Sequence, residues 1–283
     1  MDFITQILGY RFLTYALLAS LLSGVACGIV GTYVVSRRLV FLSGGITHAS
    51  FGGIGIAYFL GLDPILGATV FALGSASATE LLSERGRMRE DSAIGIMWSL
   101  GMAIGVVFVY LTPGYAPNMM SFLFGDILTV TLSSVVWLAA LVAALLLAFA
   151  LSYRQVVFIA FDRDYARSQG MPTRLVSQVM ILLVAMTIVL SIRAVGIVLL
   201  ISLLTFPAVI ANSFTRSYGR MTLWAVVIAS LSNVAGLWIS YRLDLPAGAT
   251  AIFVLAVALL AVKLLTLYRR RGLRAKLAAA TAK

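Results

Sequence analysis

Nine long apolar stretches follow one another along the chain, and they constrain its fold more than any other feature. A helix needs about 20 apolar residues to cross roughly 30 Å of hydrocarbon. Segments such as 135–151 are apolar on every face, whereas the strands of a membrane barrel alternate apolar and polar residues. We therefore predict an all-α, polytopic transmembrane helix bundle. The predicted spans are about 12–36, 43–61, 64–83, 92–112, 128–152, 174–192, 195–213, 221–241 and 247–268.

The composition indicates that lipid, rather than water, surrounds most of the chain. Hydrophobic residues make up 61% of the 283 residues and charged residues 11%, against about 25% charged residues in a soluble domain. In lipid, only helices and closed barrels satisfy every backbone hydrogen bond. The run 175–213 is too long for one crossing at about 1.5 Å per residue. We expect the chain to turn back near Arg193 and Gly196, and eight spans stay an alternative count.

Positive charges are concentrated in alternate connections between the apolar stretches. The formal net charge is +11, and Arg and Lys concentrate on the cytoplasmic side of membrane proteins. No basic helix face with interleaved aromatic residues, as used on nucleic acid, accompanies them. We predict an N-terminus outside and a C-terminus inside, with one transmembrane domain over 1–268 and a basic cytoplasmic tail over 269–283. The basic connections contain Arg37, Arg38, Arg85, Arg87, Arg89, Arg154, Arg163, Arg167, Arg174, Arg216 and Arg220.

Several classes of function are disfavoured because their motifs are missing. The sequence has no GxxxxGK[ST] phosphate loop, no HExxH helix and no GxSxG elbow. We therefore expect a chain that is not an enzyme and that holds no permanent cofactor. The single Cys27 lies within an apolar stretch, where a small packing residue is expected. The N-terminal segment lacks the pattern of a removable signal, so 12–36 is predicted to be a retained span.

His48 is the most informative residue inside the predicted spans. An ionisable group within a span is costly and is a candidate functional residue, and neutral imidazole binds Zn, Mn or Fe. Residues three and four apart share a helix face, so Gly44, Gly45 and Gly52 should leave room around the imidazole. Two interpretations of His48 stay open: it is a residue of a transport pathway, or it is a packing histidine where helices touch. The glycines do not decide between them, because small residues are also typical of close helix contacts in membranes.

A stripe of hydroxyl groups adjoins His48. Ser43, Thr47 and Ser50 follow one another at i, i+4, i+7 spacing. Their oxygens could hydrate a passing ion or orient the imidazole through a hydrogen bond. On the first of the two interpretations, these residues line a transport pathway together with His48 and the three glycines, and a divalent metal is a chemically reasonable cargo.

The longest polar interruption, 153–174, predicts a short cytoplasmic helix. Asp162 and Asp164 suit the positive N-terminus of a helix, and Arg167 suits its later part. Gly170, followed by Pro172, is a stop signal. A solvated loop without a partner is the alternative interpretation.

Three other features have mainly structural interpretations. Pro207 lies inside the seventh stretch and should kink that helix, and we favour a role in shape over one in gating. Glu80 and Glu84 lie one turn apart at the end of the third stretch, where an interfacial charge cluster is favoured over attraction of an exiting cation. Asp126 opens the fifth stretch, and the start of a helix suffices to explain it.

From about Phe12 to Leu264, the sequence resembles the permease family of zinc- and manganese-type ABC importers. No single motif identifies the family, but the order and spacing of the motifs together make a specific match. The matching stretches are Gly45-Ile46-Thr47-His48-Ala49, Asp91-Ser92-Ala93-Ile94-Gly95-Ile96, Leu123-Phe124-Gly125-Asp126-Ile127-Leu128, Phe161 to Gly170, Arg193-Ala194-Val195-Gly196, Phe206-Pro207-Ala208 and Pro246-Ala247-Gly248-Ala249.

The resemblance implies a homodimeric channel in the prokaryotic cytoplasmic membrane, two cytoplasmic ATP-binding-cassette ATPase subunits and an extracytoplasmic metal-binding protein. In the family, an aspartate commonly stands four residues before the histidine at the metal pathway, and here that position is Gly44. The resemblance also makes 162–170 similar to the coupling helix that sits in a groove of the ATPase. A bulky residue at Ala166 is then expected to overpack that contact.

Two other classes stay open as alternatives to a metal importer driven by a separate ATPase. An ABC permease for a metal chelate, such as a siderophore or cobalamin, would also use a glycine-lined path. A transporter driven by an ion gradient normally needs acidic or basic groups deep in its spans. Almost every carboxylate here lies in a loop or at the end of a span, which disfavours this second class.

Overall fold

The computed structural model describes residues 9–84, 86, 88–113, 125 and 130–281 of the chain, and over these residues its regular secondary structure is entirely helical. The predicted all-α bundle is thus confirmed. The helices are α1 (Arg11–Ser36), α2 (Val40–Leu60), α3 (Pro64–Glu84), α4 (Glu90–Leu111), α5 (Leu132–Phe161), α6 (Arg163–Ser168), α7 (Thr173–Asn212), α8 (Tyr218–Leu243) and α9 (Ala247–Thr281).

Nine segments of the described helices are long and apolar enough to cross a membrane, as the sequence predicts. Helix α7 supplies two of them, Thr173–Ile192 and Ala194–Asn212, and α6 is too short to supply any. Helix α5 continues beyond its predicted end at 152, because no glycine or proline interrupts it before Phe161.

The chain reverses direction within α7, at Gly196. The backbone angles there are φ 77° and ψ 161°, a conformation that is essentially restricted to glycine. Helix α7 begins shortly after Arg163, and its last residue, Asn212, lines the same cavity as Arg163. Both ends of α7 therefore lie at one end of the bundle, whereas a straight helix of this length would separate them by about 60 Å. The predicted turn near Gly196 is confirmed.

Helix α2 is the most enclosed span of the bundle, and α4 and α9 are the most exposed. Within the most apolar part of each helix, 72% of the residues of α2 are buried, against 17% in α4 and in α9. The small residues of α2 explain its enclosure, because they let neighbouring backbones approach from several sides. The outer faces of α4 and α9 are left to lipid or to another chain.

Helices α1 and α8 approach until backbone meets backbone. A Cβ atom added at Gly24 would lie 2.7 Å from the Cα of Ser230, and one at Gly28 would lie 2.5 Å from the Cα of Val226. Nearby, the side-chain amide of Asn233 donates a hydrogen bond of 3.0 Å to a carbonyl oxygen of α1. Small residues and a hydrogen bond from this buried amide thus join α8 to the core of the bundle.

Arginines from separate connections converge at one end of the bundle. Arg37, Arg38, Arg163 and Arg216 line a single cavity of about 740 Å³. This arrangement agrees with the predicted grouping of basic connections on one side, and a cytoplasmic location for that side stays a prediction. Some residues that the sequence analysis names lie outside the described residues: Arg85, Arg87, Leu123, Phe124, Asp126, Ile127 and Leu128.

Candidate functional site

Glycines of α2 let its backbone touch that of α4 near His48. A Cβ atom added at Gly45 would lie 2.6 Å from Cγ2 of Ile94, and one at Gly52 would lie 2.7 Å from the carbonyl oxygen of Gly101. These distances leave little room for a side chain, so both glycines serve close helix packing. That they also line a transport path stays a prediction.

His48 lies where α2 meets α4, and its ring stacks on the indole of Trp98. The ring centroids are 4.5 Å apart and the ring planes differ by 8°. Both side chains are half-buried. Because the indole covers a face of the imidazole, it fixes the orientation of the ring without occupying the nitrogens on the edge.

Trp98 is absent from the residues predicted above to form the site. It lies on a different helix from His48 and far from it in the sequence, so the spacing of residues within one helix does not reveal the contact. The signal in the sequence is a tryptophan inside an apolar stretch, which does not specify a partner.

Gly44 differs from the other two predicted pathway glycines because it has room for a side chain. The nearest atom to a Cβ added there is Cζ3 of Trp98, at 3.4 Å, followed by Cη2 of the same indole and Cδ1 of Ile201 at 4.0 Å. These are ordinary van der Waals distances. A side chain at position 44 would therefore lie beside the indole, one helical turn from His48.

The predicted hydroxyl stripe is buried, and each of its hydroxyl groups donates its proton in a hydrogen bond to the backbone of α2. The hydroxyl groups of Ser43, Thr47 and Ser50 donate to backbone carbonyl oxygens three or four residues earlier, at 2.6–2.7 Å. Their lone pairs are left to accept a further hydrogen bond or to contact an ion. The stacked Trp98, rather than a hydroxyl proton, thus accounts for the orientation of His48.

The described part of the chain contains no group of three or more His, Cys, Asp and Glu residues placed to hold a metal ion. Cys27 is fully buried in the apolar core, as expected for a packing residue. What this chain offers near α2 is a single imidazole, which can act as one nitrogen ligand.

The short helix α6 has the predicted start and stop. A carboxylate oxygen of Asp162 accepts a hydrogen bond of 2.9 Å from the backbone N–H of Tyr165 and caps the first turn. Asp164 lies in that turn and Arg167 in the last one. Gly170 has φ 75°, so the chain leaves the helix in the left-handed conformation that glycine favours.

Ala166 points into the bundle and not away from it. Its exposed fraction is 0%, and it belongs to the main apolar core. The expectation that a bulky residue at Ala166 would disturb mainly a docked partner is therefore wrong, because such a residue would first disrupt the chain itself. The exposed side chains of α6 include Asp164, Tyr165 and Arg167.

A buried ion pair attaches α6 to α3. The Nη2 atom of Arg163 lies 2.9 Å from Oε1 of Glu80, and Glu80 is only 4% exposed. Glu80 was expected to belong to an interfacial charge cluster, and the structure gives it this specific partner. The sequence does not indicate the pair, because its members are far apart in the chain.

Pro207 lies within the second span of α7, which stays helical through it to Asn212. The non-helical residue of α7 is Gly196 instead. The break in this helix thus falls at the glycine, and a role of Pro207 in the shape of the span stays a prediction.

The sequence matches the model of a family described as the ABC 3 transport family over residues 9–266. An uncharacterized membrane protein of Synechocystis is 38% identical over 255 residues, which cover 90% of this chain and 91% of that protein. The manganese transport system membrane protein MntC of Halalkalibacterium halodurans is 31% identical over 252 residues, covering 89% of this chain and 86% of the relative.

A solved structure has the same fold. It is PsaBC from Streptococcus pneumoniae in complex with Fab, and one of its chains matches with a TM-score of 0.82 and 27% sequence identity. The match covers 92% of this chain and 94% of that chain.

Proposed function

This chain belongs to the ABC 3 transport family, and from that premise we propose that it is the membrane permease subunit of an ATP-driven importer of a divalent transition metal. The manganese transport protein among its relatives supports this class of cargo. Mn, Zn and Fe are the candidate metals, since imidazole is a ligand for each in proteins.

The observation that carries the proposal is the placement of His48 on the most enclosed span, with its ring held by Trp98. The metal is cargo, so it must bind and then leave. A single imidazole with a fixed ring plane suits such transient binding, because it supplies one ligand and no closed cage. The lone pairs of Ser43, Thr47 and Ser50 would add weak oxygen contacts nearby.

A homodimer completes the proposed site. Divalent metals of this class take four or more ligands, and one chain contributes one imidazole. A second copy would contribute another His48 if the two α2–α4 pairs faced each other. The low burial of α4 in the single chain supports this arrangement.

The proposed importer needs a separate cytoplasmic ATPase, in two copies, and an extracytoplasmic metal-binding protein. This chain has no phosphate loop of its own. The short α6 supports contact with the ATPase, because it presents Tyr165 and Arg167 at the arginine-rich end of the bundle. A cytoplasmic-membrane location follows from the same proposal.

The test is uptake by proteoliposomes that contain the chain, its ATPase and its metal-binding protein. We expect ATP-dependent accumulation of Mn²⁺, Zn²⁺ or Fe²⁺. ATP-dependent uptake of an iron chelate or cobalamin, with no uptake of the free ions, would assign the chain to the chelate class instead. Uptake driven by an ion gradient without the ATPase would exclude an ABC permease.

A further inference from the structure

Several span ends meet at one end of the bundle and enclose a cavity of about 740 Å³. The ends of α1, α5 and α7 and the start of α8 form its wall, together with α6. We call it the arginine cavity, defined by Arg37, Arg38, Arg163 and Arg216. None of the residues of the proposed metal path lines this cavity.

The charge of the arginine cavity is strongly unbalanced. None of the described residues that line it is acidic. Glu80 does not line the cavity, but its carboxylate pairs with Arg163. The positive charges of the other three arginines are not offset by this carboxylate. Like charges that share a cavity repel one another, so an anion would stabilise this end of the bundle.

Two polar atoms of the wall lack a hydrogen-bond partner among the described residues. They are Nε of Arg37 and the hydroxyl oxygen of Tyr218, and Tyr218 is only 5% exposed. The same arginine makes a long contact of 3.5 Å from Nη1 to the carbonyl oxygen of Ile159. Unpaired buried donors are costly. Both atoms are buried behind the wall, so the charge of the lining arginines, and not these two atoms, is what would hold an anion in the cavity.

The arginine cavity lies where the spans end, which is where the headgroups of a bilayer are expected. Its wall consists of residues at the ends of spans, and its apolar members include Val35, Ile159 and Phe161. Phosphate suits such a site, because its oxygens accept paired hydrogen bonds from guanidinium groups, and basic pockets between transmembrane helices bind anionic headgroups. We propose that the arginine cavity binds a phosphate group, carried by an anionic phospholipid or free in solution.

The test compares two double variants of the full-length chain by native mass spectrometry. Arg38→Gln with Arg216→Gln removes two exposed charges from the cavity. Arg154→Gln with Arg220→Gln removes two exposed charges from outside it and is the matched control. The probes are phosphatidylglycerol, phosphatidylcholine and inorganic phosphate, and thermal melting without probe checks that both variants fold.

We expect phosphatidylglycerol to bind the parent chain and the control alike, and to bind the cavity variant roughly 10- to 30-fold more weakly, as the loss of two arginine contacts implies. Phosphatidylcholine should bind weakly to all three. If inorganic phosphate alone shows this dependence on the cavity arginines, the site takes free phosphate and the proposal stands.

Equal binding of every probe by the parent and the cavity variant would overturn the proposal. So would a cavity variant that keeps its affinity for both phosphate probes but no longer co-purifies with the ATPase, because the arginines would then bind acidic groups of a partner protein.

Discussion

At the scale of single residues, the neighbour of His48 is an aromatic ring instead of a carboxylate. The family resemblance places an aspartate at position 44, where this chain has glycine. The indole of Trp98 lies beside that position and stacks on the imidazole. A metal at His48 would therefore meet an imidazole nitrogen and hydroxyl oxygens but no carboxylate from the same helical turn, and we predict a preference for Zn or Fe over Mn.

Replacing His48 with alanine should lower metal uptake by about 10-fold or more, since even the loss of a group that orients a ligand costs 10- to 100-fold in metal affinity. Uptake by proteoliposomes measures the effect. Thr69→Ala is the matched control, because its hydroxyl donates within its own helix, to Ile65. If a well-expressed His48→Ala variant takes up metal as fast as the parent chain, the role of this histidine is structural.

The substitution Gly44→Asp should preserve folding and shift preference toward Mn²⁺. The Cβ atom has ordinary contacts at this position, and the added carboxylate supplies the hard oxygen ligand that Mn prefers. Competition between Mn²⁺ and Zn²⁺ for uptake measures the shift, and Gly44→Asn is the control of equal size without charge. An unchanged preference would argue that this face of α2 does not meet the metal.

At the scale of helices, local signals predict where an element begins and ends better than which way its side chains point. The start and stop of α6 follow from Asp162 and Gly170, which act within one turn. The burial of Ala166 depends on the helices that α6 packs against. Likewise, the contacts Trp98–His48 and Glu80–Arg163 join residues from distant parts of the chain, which no pattern within one helix reveals.

The exposed Tyr165 of α6 provides the test of docking that Ala166 cannot. We expect Tyr165→Ala to reduce co-purification of the ATPase about 10-fold, because buried aromatic side chains dominate many protein interfaces. Tyr110→Ala is the control, since Tyr110 is an exposed tyrosine at the C-terminal end of α4. Equal recovery of the ATPase with both variants would place its contact elsewhere.

Removing the charge of Glu80 should loosen α6 from the bundle. A broken buried ion pair costs roughly 3–5 kcal/mol, and we expect about 1–3 kcal/mol here because Arg163 is 27% exposed and solvent screens it. Thermal melting of Glu80→Gln and of the exposed control Asp164→Asn measures the difference. Transport should fall more than ATPase binding, and an unchanged melting temperature would show that the pair adds no stability.

Across the whole bundle, an ion pair and a close helix contact connect α6 with the helix that carries His48. Arg163 binds Glu80 of α3. Helix α3 packs directly on α2, where a Cβ atom added at Gly53 would meet the carbonyl oxygen of Gly67. We predict that a movement of α6 is passed through these two contacts to the helix that carries His48. The sequence predicts the helices of this connection, because long apolar runs identify spans, but not the contacts between them.

The orientation of the bundle gives the last prediction, and the natural chain is suited to testing it. Its single cysteine, Cys27, is fully buried, so an introduced thiol should be the main site of labelling. Among the described residues, three spans separate Pro113 from Arg220, so we expect these exposed residues to lie on opposite sides of the membrane. The positive-inside rule assigns Arg220 to the cytoplasm. In intact cells, a maleimide that cannot cross membranes should label Pro113→Cys at once and Arg220→Cys only after permeabilisation. The reverse labelling pattern would mean that the topology is inverted. Helix α6 would then lie outside the cell, where a cytoplasmic ATPase could not bind it.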